Sequence, residues 1–306
     1  MRHRRGTAVA IALLGAALAT AGCGLGPGAD VGSVELTVTR DFGSTPMLQR
    51  SVQAQESDTV MRVLEGEAEI ETRYGGGFVH AIEGVEERAG GDGPYDWFFY
   101  VDGVESPIGA AEVELKGEER IWWDYRDWSA TNHVPAVVGS WPAPFADGVG
   151  GKRYPVVVEC REGGEACEAA RGALEREGVE VASGEPEKAI RVLVGPWERV
   201  RTDATAKLLE AGPSESGVFA DFEATGDGYE VLALDQEGER SRRLGPDAGL
   251  VAATSRYGGP PVWVVTGGTE AAVQAAAKVL DEASLRDHYA VAIEDGKPTP
   301  LPLGAR

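Results

Sequence analysis

The chain has 306 residues, three cysteines and a formal net charge of −21 at pH 7. This length fits two domains of roughly 100 to 150 residues, each large enough for its own hydrophobic core. Because 50 acidic side chains outnumber 29 basic ones and are spread along the chain, the protein would repel phosphate backbones, and nucleic acid is excluded as an expected partner.

The first 23 residues have the pattern of a bacterial lipoprotein signal peptide. A basic start precedes an apolar run from Ala8 to Ala19, and the segment ends in Thr20-Ala21-Gly22-Cys23, which resembles a lipobox. The apolar run is too short for a permanent membrane span. We therefore expect lipid on Cys23 to anchor the mature chain to the outer face of the cell membrane, with residues 24–33 as a flexible tether. Ordinary cleavage nearby, with Cys23 unmodified, is the alternative.

Residues 34–128 are predicted to form the first folded domain. Val34–Thr39 alternates apolar and polar residues, as a half-buried strand does, and a short helix is expected after the capping residue Thr59. A hairpin turn is expected at Asp102-Gly103. Further short strands are predicted at 69–73, 78–82, 97–101, 113–115 and 121–125. Few helices and many short strands predict an α+β domain.

The order of several short motifs in this domain resembles a known family. The motifs are the helix of Thr59, Val60 and Leu64, then Gly77-Phe78 and Ile82-Glu83-Gly84, then Trp97, Tyr100, Val101, Asp102 and Gly103, and finally Ile121, Trp123 and Tyr125. Together they resemble the transcobalamin C-terminal-like domain of bacterial surface proteins, which is similar to the cobalamin-capping domain of animal transcobalamin and intrinsic factor.

This resemblance implies a β-grasp-like fold and a corrinoid ligand that is contacted through Trp97 and its neighbour Phe98. The chain departs from the family pattern at Asp102, where Asn is common, and at Glu119, where Asp is common. It also has no large helical barrel, which in the animal proteins clamps cobalamin from the other side.

Strand periodicity divides the aromatic residues of this domain between two faces. Period two places Trp97 on one face of its strand and Phe98 and Tyr100 on the other. On the last strand, Trp123 and Trp122 likewise point to opposite faces. The candidates for ligand binding are Trp97, Phe98, Tyr100, Trp122 and Trp128. Periodicity assigns Trp97 to the core, whereas the resemblance assigns it to the ligand. The alternative is that both faces are buried, one of them against the second domain.

Residues 129–151 are interpreted as a strap that connects the first domain to a second domain, which is expected to comprise residues 152–306. The strap contains three prolines with apolar residues between them, which predicts packing across an interface instead of a free linker. In the second domain, a strand, a glycine pair and an Ala-rich helix occur twice, which predicts an α/β domain with helices on a mixed sheet. Strands are predicted at 154–160, 190–194, 218–223, 229–235, 249–254, 261–266 and 288–294, and helices at 165–177, 197–211 and 270–282.

Cys160 and Cys167 are separated by six residues, which fits neither the usual zinc-site spacing nor the redox spacing of two residues. On an exported chain, this pair predicts a disulfide. Gly267-Gly268-Thr269 is interpreted as a tight turn with Thr269 as a helix cap, and not as an anion site. No catalytic, cofactor or metal motif is evident, so no enzyme activity is predicted. For residues 152–306, enzyme activity stays an open alternative.

These observations predict an extracytoplasmic, membrane-anchored lipoprotein that captures a ligand for uptake. The resemblance implies a corrinoid such as cobalamin as the ligand, and an uptake transporter would be the partner. The alternative hypothesis is a structural, adhesion or protein-docking lipoprotein without a small-molecule ligand.

Overall fold

The computed structural model describes residues 28–90, 93–162, 164–184, 186–226, 228–256 and 259–304. The predicted signal peptide, the lipidation site Cys23 and the start of the predicted tether lie outside these residues. None of the helices in the described ranges combines the length and apolar character needed to cross a bilayer.

The first half of the chain is built on a mixed five-stranded sheet. Its elements are β1 (Asp30–Arg40), β2 (Thr45–Gln55), α1 (Val60–Glu67), β3 (Ile70–Arg73), β4 (Phe78–Ile82), β5 (Val85–Glu86), β6 (Tyr95–Val101), β7 (Val104–Glu105) and β8 (Arg120–Asp127). The strand order is β2-β1-β8-β6-β7, with β1 and β8 parallel and the other neighbours antiparallel. Strands β3, β4 and β5 form a separate small sheet.

Helix α1 covers one face of this sheet, which gives the predicted β-grasp-like arrangement. The helix begins after Thr59, whose side-chain oxygen accepts a hydrogen bond from the Arg62 N–H at 3.3 Å. Its buried side chains lie at helical spacing and share a core with Leu36, Ile121 and Trp123 of the sheet. The prediction of a helix at this position is confirmed.

Strand β2 is present in the structure but was not predicted from the sequence. The segment is polar and contains Pro46, and the sequence analysis predicts no strand for it. As the edge strand of the sheet, β2 exposes one side to solvent, so polar residues and a proline at its start are tolerated. Strand β1 begins at Asp30, so residues 30–33 of the predicted tether pair with β2. Residues 113–115 do not form a strand and contribute only an isolated bridge between Thr59 and Glu114.

The second half of the chain is built on a mixed six-stranded sheet. Its elements are α2 (Ala143–Ala146), β9 (Val156–Cys160), α3 (Glu165–Arg176), β10 (Ile190–Val194), α4 (Trp197–Val200), α5 (Pro213–Ser216), β11 (Ala220–Thr225), β12 (Gly228–Leu234), β13 (Arg240–Arg243), β14 (Gly249–Thr254), β15 (Val262–Gly267), α6 (Glu270–Lys278), α7 (Glu282–Leu285), β16 (Ala290–Glu294) and β17 (Lys297–Leu301). The strand order is β17-β16-β14-β15-β10-β9, in which β9, β10 and β15 are parallel. The remaining strands, β11 to β13, form a small antiparallel sheet.

Helices α3 and α6 pack on one face of the six-stranded sheet through alanines, so the predicted α/β arrangement is observed. The predicted helix at 197–211 is broken into α4 and a 3-10 helix at Ala206–Ala211. Asp203 explains the break, because its carboxylate accepts hydrogen bonds from the backbone N–H groups of Thr205 and Ala206 and thereby stabilises a turn. The disulfide between Cys160 and Cys167 is present, with a Cα–Cα distance of 5.8 Å.

Candidate functional site

The aromatic face that contains Trp97 belongs to the core beneath α1. Trp97 is 5% exposed, and its indole N–H donates a hydrogen bond of 2.9 Å to the carbonyl oxygen of Val85. Its ring packs against that of Tyr125 at a centroid distance of 5.2 Å. The core position that strand periodicity gives Trp97 is therefore observed, and its role as a ligand contact stays a prediction that the resemblance implies.

The opposite aromatic face is buried against the second half of the chain. Tyr100 and Trp122 are 0% and 2% exposed, and their rings lie 5.7 and 5.3 Å from that of Tyr289. Phe98 is half-buried under the guanidinium group of Arg126, 3.8 Å from its ring centroid. Of the two interpretations of this face, the buried one holds for Tyr100 and Trp122, because the second half of the chain covers them. Among the five candidates, Trp128 remains exposed, at 38%.

A buried carboxylate lies at the centre of this interface. One oxygen of Asp124 accepts hydrogen bonds from the Thr39 hydroxyl at 2.6 Å and from the Gly43 N–H at 3.1 Å, and the other accepts from the Tyr289 hydroxyl at 3.0 Å. Burial raises the pKa of Asp124, while these donors and the charge of Arg126 oppose that rise. The sequence places Trp122, Asp124 and Arg126 on one face of the strand, but it does not show that Tyr289 packs against this face.

The strap joins the two halves. Its apolar side chains Val134 and Val137 belong to the same core as Tyr100 and Trp122, whereas Trp141 packs against Trp263 of the second sheet at a centroid distance of 5.7 Å. The first half of the chain therefore packs against the second, and its aromatic residues Tyr100 and Trp122 contribute to that contact.

An open groove remains on the first half of the chain. It has a volume of about 340 Å³ and lies between strand β7, the loop that follows it and the end of the strap. Its apolar lining consists of Val101, Val104, Pro107, Ile108, Val113 and Val149. The Ile108 side chain is 48% exposed and is therefore available for contact with a molecule in the groove. Sequence reasoning missed this groove because irregular loops supply most of its residues and carry no periodic pattern.

Charged side chains surround the apolar lining of the groove. Glu105 is already engaged, since its carboxylate accepts hydrogen bonds from the His133 ring at 2.9 Å and the Val134 N–H at 2.6 Å. That hydrogen bond raises the pKa of His133. Lys116 directs its ammonium group to the carbonyl oxygen of Gly151 at 3.4 Å. The remaining charged residues of the lining are Glu112, Glu114 and Glu119.

A larger cavity, of about 800 Å³, lies beside strand β9 in the second half. Its charged residues pair with one another or with backbone. Arg161 and Arg191 form ion pairs with Glu159 and Asp203, and Arg171 donates a hydrogen bond to the carbonyl oxygen of Val158 at 3.0 Å. Most of these polar contacts are made within the protein, with the buried Nε of Arg161 as an exception, and the lining is more polar than that of the groove, so this cavity suits an apolar ligand less well. Across the described ranges, His, Cys, Asp and Glu side chains do not gather in a group of three or more that could hold a metal ion.

Comparison with known proteins identifies part of the first half. Residues 57–127 match the model of a family described as a domain of unknown function (DUF4430). The match spans α1 to β8 and includes the groove residues from β6, β7 and the loop after them. The search of curated proteins found no match to this chain.

Proposed function

We propose that the mature chain is an extracytoplasmic lipoprotein that captures a ligand for uptake and holds an apolar part of it in the groove lined by Val104, Ile108 and Val113. The observation that carries this proposal is an open groove of about 340 Å³ in which an isoleucine remains 48% exposed. Ligand sites of about 300 to 1,000 Å³ with mainly apolar walls are typical of proteins, so this groove suits a compact molecule or one part of a larger one.

Backbone hydrogen bonds attach the segments around the groove to neighbouring elements. The Val137 N–H of the strap donates to the carbonyl oxygen of Gly103 at 2.9 Å, beside strand β7. The loop after β7 is attached to helix α1, where the Met61 N–H donates to the carbonyl oxygen of Ala110 at 3.0 Å. A preformed site loses little conformational entropy on binding, which favours affinity.

Two observations support an extracytoplasmic location. The disulfide of Cys160 and Cys167 is typical of an oxidising compartment. The lipobox-like sequence that ends at Cys23 supports attachment to the membrane surface through lipid.

A corrinoid is the first ligand to test, because the order of motifs in the first domain resembles the transcobalamin C-terminal-like domain. Trp97, Tyr100 and Trp122 are buried, so a corrinoid would place one edge or its side chains in the groove instead of stacking on the sheet. An uptake transporter would then receive the ligand from the anchored protein.

The proposal is tested by titrating the mature protein with cyanocobalamin and with the neutral fluorophore Nile red. We expect Ile108→Asp to weaken binding of the recognised probe about tenfold or more, because a carboxylate would replace apolar contact area in the groove. Tyr74→Ser is the matched control, since Tyr74 is 88% exposed and does not line the groove. If neither probe binds the wild-type protein, or if Ile108→Asp binds as the wild type does, the proposal is wrong and the protein-docking alternative is favoured.

A further inference from the structure

Two adjoining cavities in the second half of the chain have a basic lining. The cavity of about 800 Å³ beside β9 shares Pro186, Ala189 and Arg191 with a second cavity of about 250 Å³, and together they form one cleft, called the basic cleft. Its described charged lining residues are the cations Arg161, Arg171, Lys188, Arg191 and Arg256 and the carboxylates Glu159 and Glu187. This excess of cations is the reverse of the whole chain, in which 50 acidic side chains accompany 29 basic ones.

Only part of this positive charge is neutralised by the protein itself. The carboxylate of Glu159 accepts from Arg161 at 2.5 Å through one oxygen and from Arg191 at 3.2 Å through the other. Behind the cleft, both oxygens of Asp203 accept from Arg191, at 2.6 and 3.3 Å. These two carboxylates therefore balance two of the five cations and have no oxygen left for the others.

The other three cations of the basic cleft have no acidic partner among the residues that the structure describes. Arg171, Lys188 and Arg256 form no ion pair within 4.0 Å with any described carboxylate. Arg171 and Arg256 are instead oriented by the backbone, because each donates a hydrogen bond of 3.0 Å to a carbonyl oxygen. A guanidinium group has five N–H donors, so both retain donors for a further acceptor.

Strand β9 adds backbone donors to the same cleft, because it is an edge strand of the six-stranded sheet. The Arg161 N–H donates to the carbonyl oxygen of Val194 in β10 at 2.8 Å, and in a parallel pair alternate residues of a strand face the same neighbour. The N–H groups of Val158 and Cys160 therefore point away from β10, on the free side of the strand, where both residues line the cleft. Oriented N–H groups beside arginines suit an acceptor with negative charge.

We infer that the basic cleft binds a small molecule that carries a carboxylate or phosphate group, in which the Arg171 guanidinium donates to the oxyanion and Lys188 and Arg256 add positive charge. A planar guanidinium group matches both oxyanions geometrically. The inference goes beyond the proposed function, because it adds a second site in the other half of the chain.

The charge distribution favours a small ligand over a polyanionic macromolecule. The chain as a whole carries a net charge of −21, which repels an extended polyanion, whereas charges beyond about 8 Å are largely screened at physiological salt. A compact anion inside the cleft is therefore affected mainly by the local cations. The volumes of about 800 and 250 Å³ leave room for the body of such a molecule beside its oxyanion.

The test uses three probes of similar size, namely phenyl phosphate, 3-phenylpropionate and the neutral 3-phenylpropanamide, titrated calorimetrically into the mature protein at about pH 7.5. We expect at least one anion to bind about tenfold more tightly than the amide, because charge-assisted hydrogen bonds are stronger than neutral ones. The tighter anion identifies phosphate or carboxylate as the recognised group, and added salt should weaken its binding. If neither anion binds more tightly than the amide, the inference is wrong. Tighter binding of a hexaglutamate peptide would overturn the small-molecule assignment.

The matched variants locate the binding in the basic cleft. Arg171→Met should weaken binding of the preferred anion about tenfold, whereas Arg176→Met removes the same charge from an exposed position of helix α3 outside the lining and should leave binding nearly unchanged. Lys188→Met should weaken it several-fold, and because Lys188 is exposed, this variant tests the cleft even if Arg171→Met does not fold. Equal binding by all folded variants would overturn the inference. Binding of Nile red or cyanocobalamin in the groove is a separate measurement, so the two sites succeed or fail independently.

Discussion

The hydroxyl of Tyr289 donates a hydrogen bond of 3.0 Å to Oδ2 of Asp124, and both side chains are buried. This contact joins β8 of the first sheet to the residue that precedes β16 of the second, 165 positions later in the chain. The Tyr100 hydroxyl donates in turn to the Tyr289 oxygen at 3.2 Å. The two halves are therefore joined by a polar network inside an apolar interface, and such networks are costly when one member is removed.

Tyr289→Phe should destabilise the protein by about 1 to 3 kcal/mol, because Asp124 loses one donor and Tyr100 loses its acceptor inside the core. The free energy of unfolding in urea measures the effect. Tyr125→Phe is the control, since its hydroxyl donates to the Glu86 carbonyl oxygen at an exposed position. Equal effects of the two substitutions would contradict the structural importance of the buried network.

Gly139→Ala should destabilise the protein by about 2 kcal/mol through overpacking. A Cβ atom at this position of the strap would lie 2.7 Å from the backbone nitrogen of His288 and 2.8 Å from Cζ3 of Trp122. Gly66→Ala is the matched control, because a Cβ there meets nothing within 4 Å and alanine favours the helix α1. Thermal denaturation should show a lower midpoint for the first variant and an equal or higher one for the second. A midpoint that Gly139→Ala leaves unchanged would show that the strap does not approach this closely.

Asp102→Asn should remove a loss of stability that occurs as the pH rises. Burial raises the pKa of Asp102 to about 7 from its usual 3.8, so the folded protein binds more protons than the unfolded chain between these values. Stability due to this group is therefore greatest below about pH 4 and falls as the pH rises to about 7, by as much as about 4 kcal/mol. Asparagine tolerates the φ of +51° at this turn and keeps an acceptor for the Arg120 N–H.

The measurement compares unfolding free energies at about pH 5 and pH 8. Asp295→Asn is the matched control, because Asp295 also precedes a hairpin glycine with a φ of +51° but is exposed. Asp102→Asn should gain stability relative to the wild type at the higher pH, whereas the control should not. The same gain for both variants would indicate a turn effect and not a buried charge.

Replacing both Cys160 and Cys167 with serine should lower the free energy of unfolding by about 2.5 kcal/mol. The disulfide closes a loop of about eight residues, and the chain-entropy model predicts a stabilisation of that size. Reduction of the wild-type protein should lower its free energy of unfolding by the same amount and leave that of the serine variant unchanged. A response of the serine variant to the reductant would show that the effect does not arise from this bond.

The sequence by itself determined the elements whose signals are local. Thr59 and Thr269 predicted helix starts because a side-chain oxygen caps the first turn, and both caps are observed. Period two on β6 and β8 separated Trp97 and Trp123 from Tyr100 and Trp122, and the two sets lie in different cores. Strands β2 and β17 were missed, because both are edge strands in which prolines and polar residues are tolerated.

The tertiary structure alone decided what covers each face. Alternation shows that Trp122 and Asp124 share one side of β8, but it cannot distinguish an exposed binding surface from a face that packs against Tyr289, which lies 165 residues beyond Asp124. The groove depends in the same way on the end of the strap lying beside a loop that is distant in sequence. Burial depends on such long-range contacts, which the sequence does not show. The candidate site in the structure is therefore the groove and not the face of the aromatic strands.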